Sequence, residues 1–453
     1  MNERRLMLVV FLACLWLGTF RFEWTVGVPE TNFFMRVALA AVPVAIVLVS
    51  GFTVGAFRIG GNARRWGFAL IGAGIFGTIL AVQALFPNEF TASLRPDFYL
   101  SLVLTIAGAM IGYWFAADLR DLQWGLKRIA FFLALLSVYA GLLRLIGMSQ
   151  FAPLLVPGWP LRLFILFAYC WYLYEWLSRS RWSIGPLLGL VACSPEVFIS
   201  FHKPILFCAV VASTLVFFYS IWATRRIPTI VARSALLPAI GLSVLVSANV
   251  LTSGQVFEGM KEKVTRRMLH EGARTRNETF GQAVERVAGN RFFLWREGLS
   301  RFRTSPLIGV GFGQQITGRG FHPEEGAGRG ERFAVYVHNG YLDLLISVGI
   351  LGALPVGIAL LWWLRLALRR DLARRGGQLV VPCLAFVITV LVYNMAAGSR
   401  VFFSLNAFLV FFMAVIVRLA DGLPAAVSRA IPRYGLVSPL WPRSGIRYVS
   451  GRS

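Results

Sequence analysis

One histidine, His338, stands where a long polar stretch gives way to a new apolar run. An imidazole exchanges a proton near neutral pH, so at the mouth of a membrane helix it can act as a general base. Asn339 is a candidate N-cap for that helix, and Tyr341 in its first turn is assigned a positioning role with it. The alternative is a His338 that only caps the helix or lies at the lipid interface.

A second candidate is a cation on the packing face of a helix. Residues 280–303 predict an amphipathic helix, and its apolar stripe consists of Val284, Val287, Ala288, Trp295, Leu299 and Phe302. Arg291 falls on that stripe, whereas Arg296 and Arg301 turn away from it. A charge on a packing face is costly unless it is paired or bound to a ligand. Arg291 is therefore a candidate ligand-binding residue, and a buried ion pair with a loop glutamate is the alternative.

The polar stretch around Arg291, residues 253–339, has fourteen basic residues and nine glutamates, a net charge of +5. Guanidinium groups match phosphate oxygens in bidentate geometry, so Arg266 and Arg267 are assigned with Arg291 to a phosphate or diphosphate. A solvated domain with Arg and Glu pairs would carry similar charge.

The run from Gly309 to Gly313 lacks the ending of a P-loop and predicts a tight backbone corner. Residues 317–332 predict a mobile flap.

The elements that must position these residues are membrane helices. Hydrophobic residues make up 57% of the 453, mean hydropathy is +0.67, and only 15% are charged, against roughly 25% in a soluble domain. Twelve apolar runs could span a bilayer, at 6–20, 33–56, 67–86, 98–117, 129–147, 160–177, 183–200, 204–223, 234–252, 340–364, 378–397 and 401–418. The sequence predicts an all-α polytopic membrane protein with about twelve transmembrane helices and one large helical periplasmic loop.

The basic residues predict the orientation of these spans. Of the 45 lysines and arginines, 24 fall on one side of the twelve-span arrangement, seven on the short connections of the other side and the span ends beside them, and fourteen in the large loop. The positive-inside rule then places both termini in the cytoplasm. The formal charge of +24 is explained by this topology and by attraction to anionic membrane lipids. No recognised nucleic-acid-binding fold accompanies it, so no nucleic-acid partner is expected.

Four regions follow from this arrangement. Residues 1–252 contain nine spans, 253–339 the periplasmic loop domain, 340–420 three further spans, and 421–453 a basic cytoplasmic tail. All five cysteines fall within predicted spans. Their spacing supports neither a disulfide framework nor a metal site.

Several of these segments, taken in order, carry a resemblance to a known family. The segments are Arg291 to Trp295, Ser305 to Gly313, His338 to Leu342 and Gly349 to Gly352. Over about residues 195–400 the chain resembles the O-antigen ligase and polymerase superfamily. The resemblance implies a GT-C type glycosyltransferase of the bacterial inner membrane that needs no metal, nucleotide sugar or other cofactor. Its donor would be an undecaprenyl-diphosphate-linked glycan, used at the periplasmic face.

The resemblance also implies roles for particular residues. Family members have an essential histidine in the His-Asn motif, which corresponds to His338, and an essential loop arginine, which corresponds to Arg291. They have a further arginine near a preceding span, for which Lys203 is the nearest candidate. Lys203 is accordingly assigned to the donor diphosphate with the loop arginines.

Three functions remain open on the sequence. An O-antigen ligase would transfer the polysaccharide to a sugar hydroxyl of the lipid A core. A polymerase would use the same donor to extend a growing glycan. A flippase or other transporter of lipid-linked oligosaccharide would need charged residues along a path through the spans, whereas charge here concentrates in one loop. For a transferase, the external side has no evident carboxylate pair of the glycosidase kind, so inversion at the anomeric carbon is expected.

Overall fold

A computed structural model describes residues 5, 108–109, 111–113, 115–116, 119–145, 159–178, 182–199, 203–224, 226–251, 291–310, 316–318, 333–335, 339–396 and 400–421. In chain order its elements are α1 (Leu119–Leu145), α2 (Trp159–Ser178), α3 (Ile184–Ser194), a π-helix (Pro195–Ile199), α4 (Lys203–Thr224), α5 (Ile227–Leu251), α6 (Arg291–Thr304), β1 (Ile316–Gly318), β2 (Phe333–Val335), α7 (Gly340–Ala367), α8 (Arg370–Ala396) and α9 (Arg400–Asp421).

The eight apolar runs predicted from residue 129 onward are confirmed as helices, with α3 and the π-helix together covering the run 183–200. Within the described residues, three segments are long and apolar enough to cross a membrane, namely Arg120–Leu143, Pro204–Trp222 and Gly340–Ala367. This part of the chain is that of a helical integral membrane protein. The runs 6–20, 33–56 and 67–86 lie outside the described residues, and 98–117 is described only in part. The twelve-span topology and the cytoplasmic termini therefore stay predictions.

The core of the described bundle is built around α2 and α8. Helix α2 is buried on all sides along its length, which is the pattern of a central helix. It packs against α1, α3, α4 and α8, and α8 also packs against α7 and α9. Aromatic rings of α2, α8 and α9 interlock between them: Phe167 lies 4.5 Å from Phe412 and 5.8 Å from Phe386 between ring centroids. Aromatic contacts of this kind add to the apolar burial that holds the three helices together.

Helix α5 starts seven residues earlier than the predicted span at 234–252, and so contains Arg233. The sequence placed this arginine in a connection, but its side chain is buried in the second turn of α5. Its guanidinium donates to the carbonyl of Trp176 at 2.6 Å and lies over the rings of Trp176 and Trp182. The carbonyl of Trp176 and the two indole rings stabilise the buried guanidinium. Helix α5 can therefore include Arg233 instead of starting after it.

One small sheet departs from the predicted all-α fold. Strands β1 and β2 pair antiparallel, with Ile316 opposite Val335 and Gly318 opposite Phe333. Residues 317 and 318, the first two of the predicted flap, belong to β1, and β2 begins directly after residue 332. Residues 319–332 lie outside the described part of the chain.

Candidate functional site: a loop docked into a broken helix

Helix α7 is interrupted at Gly349, which adopts φ 64° and ψ −170°. This backbone region is accessible essentially only to glycine. The interruption separates the hydrogen-bonding groups of the first half of α7, up to Val348, from those of the second half, which begins at Ile350. Within a membrane such groups need protein partners, because lipid offers none.

The corner after α6 supplies those partners. In an unbroken helix the amide of Ile350 would donate to the carbonyl of Ile346. Instead, Ile350 donates to the carbonyl of Pro306 at 2.9 Å, and the carbonyl of Ile346 accepts from Val310 at 2.8 Å. The amide of Leu351 donates in the same way to the carbonyl of Leu307 at 3.0 Å. The sequence predicted a tight corner here, and the structure docks it by its backbone into the break of α7.

The corner itself is held by a second glycine. Gly309 has φ 75° and donates to the carbonyl of Ser305 at 2.9 Å. A Cβ at Gly309 would clash with the backbone of Ser347 and Val348. Only glycine at this position allows the corner to approach α7 closely enough for the backbone bonds to form.

Helix α6 packs on the first half of α7 through a separate small core. Leu294 is buried with Val310 and Ile346, and Trp295 and Leu342 pack against them. The predicted stripe on α6 was wrong in part, because Leu299 is exposed and Leu294 is the buried position. Positions 291, 294, 295, 298 and 302 share this face by helical spacing. Helical spacing alone puts position 291 on the same side as Leu294, so the packing role of Arg291 stays a prediction.

Asn339 is the N-cap of α7, as expected from its place before the apolar run. Its side-chain oxygen accepts from the amides of Tyr341 and Leu342, both at 3.1 Å. The Tyr341 hydroxyl donates to the carbonyl of Leu391 at 2.8 Å, near the end of α8. Cap and phenol together fix where α7 starts.

A buried ion pair near the start of α4 was not anticipated from the sequence. Arg162 in α2 donates to Glu196 in the π-helix at 3.0 Å, and the Glu196 side chain is 1% exposed. The amide of Glu196 also donates to the Ser137 hydroxyl of α1. An arginine near the start of one apolar run and a glutamate within the next were the signal for this pairing. The pair joins α2 to the π-helix, which ends four residues before Lys203.

The predicted site residues fall into three groups. Asn339 and Tyr341 are described with their side chains. Arg291 and Lys203 are described only in their backbones, as the first residues of α6 and α4. His338, Arg266 and Arg267 lie outside the described residues. The structure thus brings the start of α6 and the start of α7 onto one small core, and Lys203 begins the helix after the Arg162 and Glu196 pair.

These features define the described part of the chain as a helical membrane protein in which the corner at residues 305–310 is bonded into the break of a discontinuous helix. Residues 203–357 match the family model described as O-antigen ligase. The matched segment contains α4, α6, the glycine corner and the break of α7. The resemblance to the O-antigen ligase superfamily is confirmed over this segment. No curated protein matches the chain.

Proposed function

We propose that this protein is an O-antigen ligase, a glycosyltransferase that moves a glycan from undecaprenyl diphosphate to a sugar hydroxyl of the lipid A core. The family match over residues 203–357 supports the class of enzyme. The observation that carries the proposal further is the lock between the corner at 305–310 and the break of α7. It fixes α6, whose first residue is Arg291, relative to α7, whose N-cap is Asn339.

The proposed reaction uses one general base and several cationic side chains. His338 accepts the proton of the acceptor hydroxyl, and that oxygen attacks the anomeric carbon of the donor sugar. The bond from the anomeric carbon to the diphosphate oxygen breaks, with inversion. Arg291 stabilises the negative charge that grows on the departing undecaprenyl diphosphate, and Arg266, Arg267 and Lys203 contribute to the same field.

The lock explains why this arrangement can be effective. Holding reacting groups in a productive geometry contributes much of an enzyme's rate, and a displacement of about 1 Å can cost about 100-fold. A loop attached only by its two chain ends could not hold an arginine against a histidine to that tolerance. Backbone bonds from Val310, Ile350 and Leu351 provide the rigidity that such a site needs.

The test is a deletion strain complemented with the gene and examined for lipopolysaccharide. A ligase predicts that the deletion leaves lipid A core without polysaccharide while full-length polymer accumulates on undecaprenyl diphosphate. A core that carries a single repeat would instead identify a polymerase with the same donor. Loss of polymer from the periplasmic face, with retention of lipid-linked glycan inside, would identify a transporter.

A purified assay separates transfer from transport. The protein in detergent, given lipid-linked glycan and lipid A core, should produce glycan-modified core without any membrane to cross. Arg291→Ala and His338→Ala should both abolish the product. The ligase proposal would be rejected if the parent protein formed no product in this assay but moved lipid-linked glycan across the membrane of reconstituted vesicles.

A further inference from the structure

A groove runs along α4 on the side that faces α5. Its volume is about 760 Å³, which falls within the range of ligand-binding cavities, roughly 300 to 1,000 Å³. The lining residues from α2 and α3, such as Leu173 and Leu190, are buried and form its floor. Phe218 of α4 and Leu242 of α5 also line it, but they are exposed. The groove is therefore open between α4 and α5, and since α4 contains the span Pro204–Trp222, this opening lies at membrane depth.

Three of the hydroxyls that line the groove are engaged within the protein. Ser213 donates to the carbonyl of Ala209 at 2.7 Å, and the Tyr169 hydroxyl bonds the Ser213 hydroxyl at 2.7 Å. The Ser194 hydroxyl donates to the carbonyl of Val191 in its own helix, also at 2.7 Å. Most of the remaining lining consists of leucine and phenylalanine side chains. A ligand in this groove would gain apolar contact and few hydrogen bonds, which fits a hydrocarbon chain and not a sugar.

One end of the groove lies next to the start of α4. Leu206 lines this end three residues after Lys203, the first residue of α4, so helical spacing puts positions 203 and 206 on one face. Phe198 of the π-helix lines the same end and packs edge-on against Tyr169, with ring centroids 5.8 Å apart. From Leu206 to Phe217 the groove follows α4 for eleven residues, about 16 Å, which is roughly half the thickness of a bilayer's hydrocarbon core. The groove thus extends from the first turn of α4 into the membrane.

We propose that this groove binds the prenyl chain of the lipid diphosphate donor, with the diphosphate at the start of α4. The inference rests on the proposed function, which supplies the donor and assigns Lys203 to its diphosphate. The chain of such a donor stays in an apolar environment, because its transfer to water is unfavourable. A transferase must therefore receive the chain at membrane depth while the head group reacts outside. The opening between α4 and α5 lets the chain enter sideways from the bilayer.

Gly241 of α5 offers a way to fill the groove. It lines the groove, and a Cβ added there would meet nothing within 4 Å. Gly241→Phe should raise the KM for undecaprenyl-diphosphate-linked glycan about 10-fold, the order of loss when extra volume is forced into a packed apolar site, with little change in kcat. Gly357→Phe is the matched control, since a Cβ at Gly357 of α7 also meets nothing within 4 Å. Equal donor KM in the two variants would overturn the proposal.

Donor analogues with shorter prenyl chains test the same groove. In the parent protein KM should rise once the chain is shorter than the groove, because fewer carbons pack against its walls. In Gly241→Phe the KM should depend much less on chain length, since the phenyl ring already occupies part of the volume. The effects of the substitution and of the shorter chain are then non-additive, as expected for two changes in one site. The same dependence on chain length in both proteins would contradict binding in this groove.

Photo-crosslinking locates the chain without any transfer reaction. The probe is a prenyl diphosphate with a diazirine in the middle of its chain, added to the whole protein in detergent. Label should appear in residues 206–218 of α4 and 234–242 of α5, and undecaprenyl diphosphate should compete for it. If phosphatidylglycerol competes equally well, an ordinary membrane lipid occupies the groove and the proposal is wrong. Label confined to other segments would also overturn it, because the groove would then be covered by something other than the prenyl chain.

The two proposals fail differently. If the probe labels the groove but the parent protein transfers no glycan to any acceptor, the groove stands and the proposed ligase function is wrong. If the parent transfers glycan while Gly241→Phe and Gly357→Phe have the same donor KM, the function stands and the groove is wrongly assigned. Thermal unfolding of each purified variant in detergent shows whether a changed KM reflects a changed structure.

Discussion

Gly309 and Gly349 meet backbone to backbone: a Cβ on Gly349 would lie 2.5 Å from the amide nitrogen of Gly309. Both residues have positive φ, 75° and 64°. The contact joins a loop corner to a break in a membrane helix, and no residue with a side chain fits on either side of it.

Replacing Gly349 with alanine should therefore destroy the lock. The backbone conformation alone costs an alanine about 1 to 3 kcal/mol, and the clash with Leu307 and Gly309 adds to it. We expect little active protein and a lower unfolding temperature in detergent. Gly357→Ala is the matched control, since it lies in the same helix with nothing within 4 Å of the added methyl group. If both variants behave like the parent, the lock has no role in folding or activity.

Tyr341→Phe should distinguish the effect of the Tyr341 hydroxyl on the position of the start of α7 from its effect on the stability of the fold. It removes the hydroxyl bond to Leu391, which costs about 0.5 to 1.5 kcal/mol, and it should lower kcat about 10-fold or more by loosening the start of α7. Tyr219→Phe loses a similar bond, from the Tyr219 hydroxyl to the carbonyl of Ala367 at 3.0 Å, at the opposite end of α7. Unfolding temperature should fall slightly in both variants, and transfer rate only in Tyr341→Phe. Equal rates in the two would show that the Tyr341 bond is merely structural.

Arg291→Ala should weaken use of the donor while the protein remains folded and inserted. Loss of one charge-assisted contact to a diphosphate costs about 1.5 to 3 kcal/mol, roughly 10-fold to 150-fold in kcat/KM. Arg296→Ala is the comparison, because Arg296 is exposed on the same helix. Lower expression or thermal stability of Arg291→Ala with unchanged activity per molecule would mean that Arg291 is a buried ion-pair partner instead.

His338→Ala and His338→Gln should both abolish transfer while donor binding survives. A general base contributes about 100-fold to 10,000-fold, and glutamine can hydrogen-bond but cannot take a proton at neutral pH. In the parent enzyme the neutral ring is the active form, so the rate should rise with pH. An imidazole ordinarily titrates at about pH 6.5, so the rise is expected in that range. A rate independent of pH across that range would argue for a positioning role.

The orientation can be checked with reporter fusions. A reporter after residue 290 should be active only in the periplasm and one after residue 372 only in the cytoplasm, because one further span, α7, lies between them. Activity of both on the same side of the membrane would reject the twelve-span arrangement. It would also remove the periplasmic placement of His338.

Apolar length and capping were legible in the sequence because they are local properties. An apolar run of about 20 residues has few alternatives to a membrane helix, and each predicted run from residue 129 onward is helical. Asn339 precedes such a run and is its N-cap, since the capping bond involves only the next three residues. The corner was recognised at Gly309 for the same local reason, and Gly311 to Gly313 lie outside the described residues.

The pairing between distant segments was decided by the tertiary structure alone. Nothing local to Gly349 identifies the carbonyls of Pro306 and Leu307 as partners for the amides beyond the break. Helical spacing put Leu299 on the apolar face of α6, but packing against Val310 and Ile346 buries Leu294 and leaves Leu299 exposed. Likewise, Arg162 and Glu196 are isolated charges in two apolar runs until folding places them 3.0 Å apart. Sequence determines which groups need partners, whereas the distances that select each partner arise only when the helices pack.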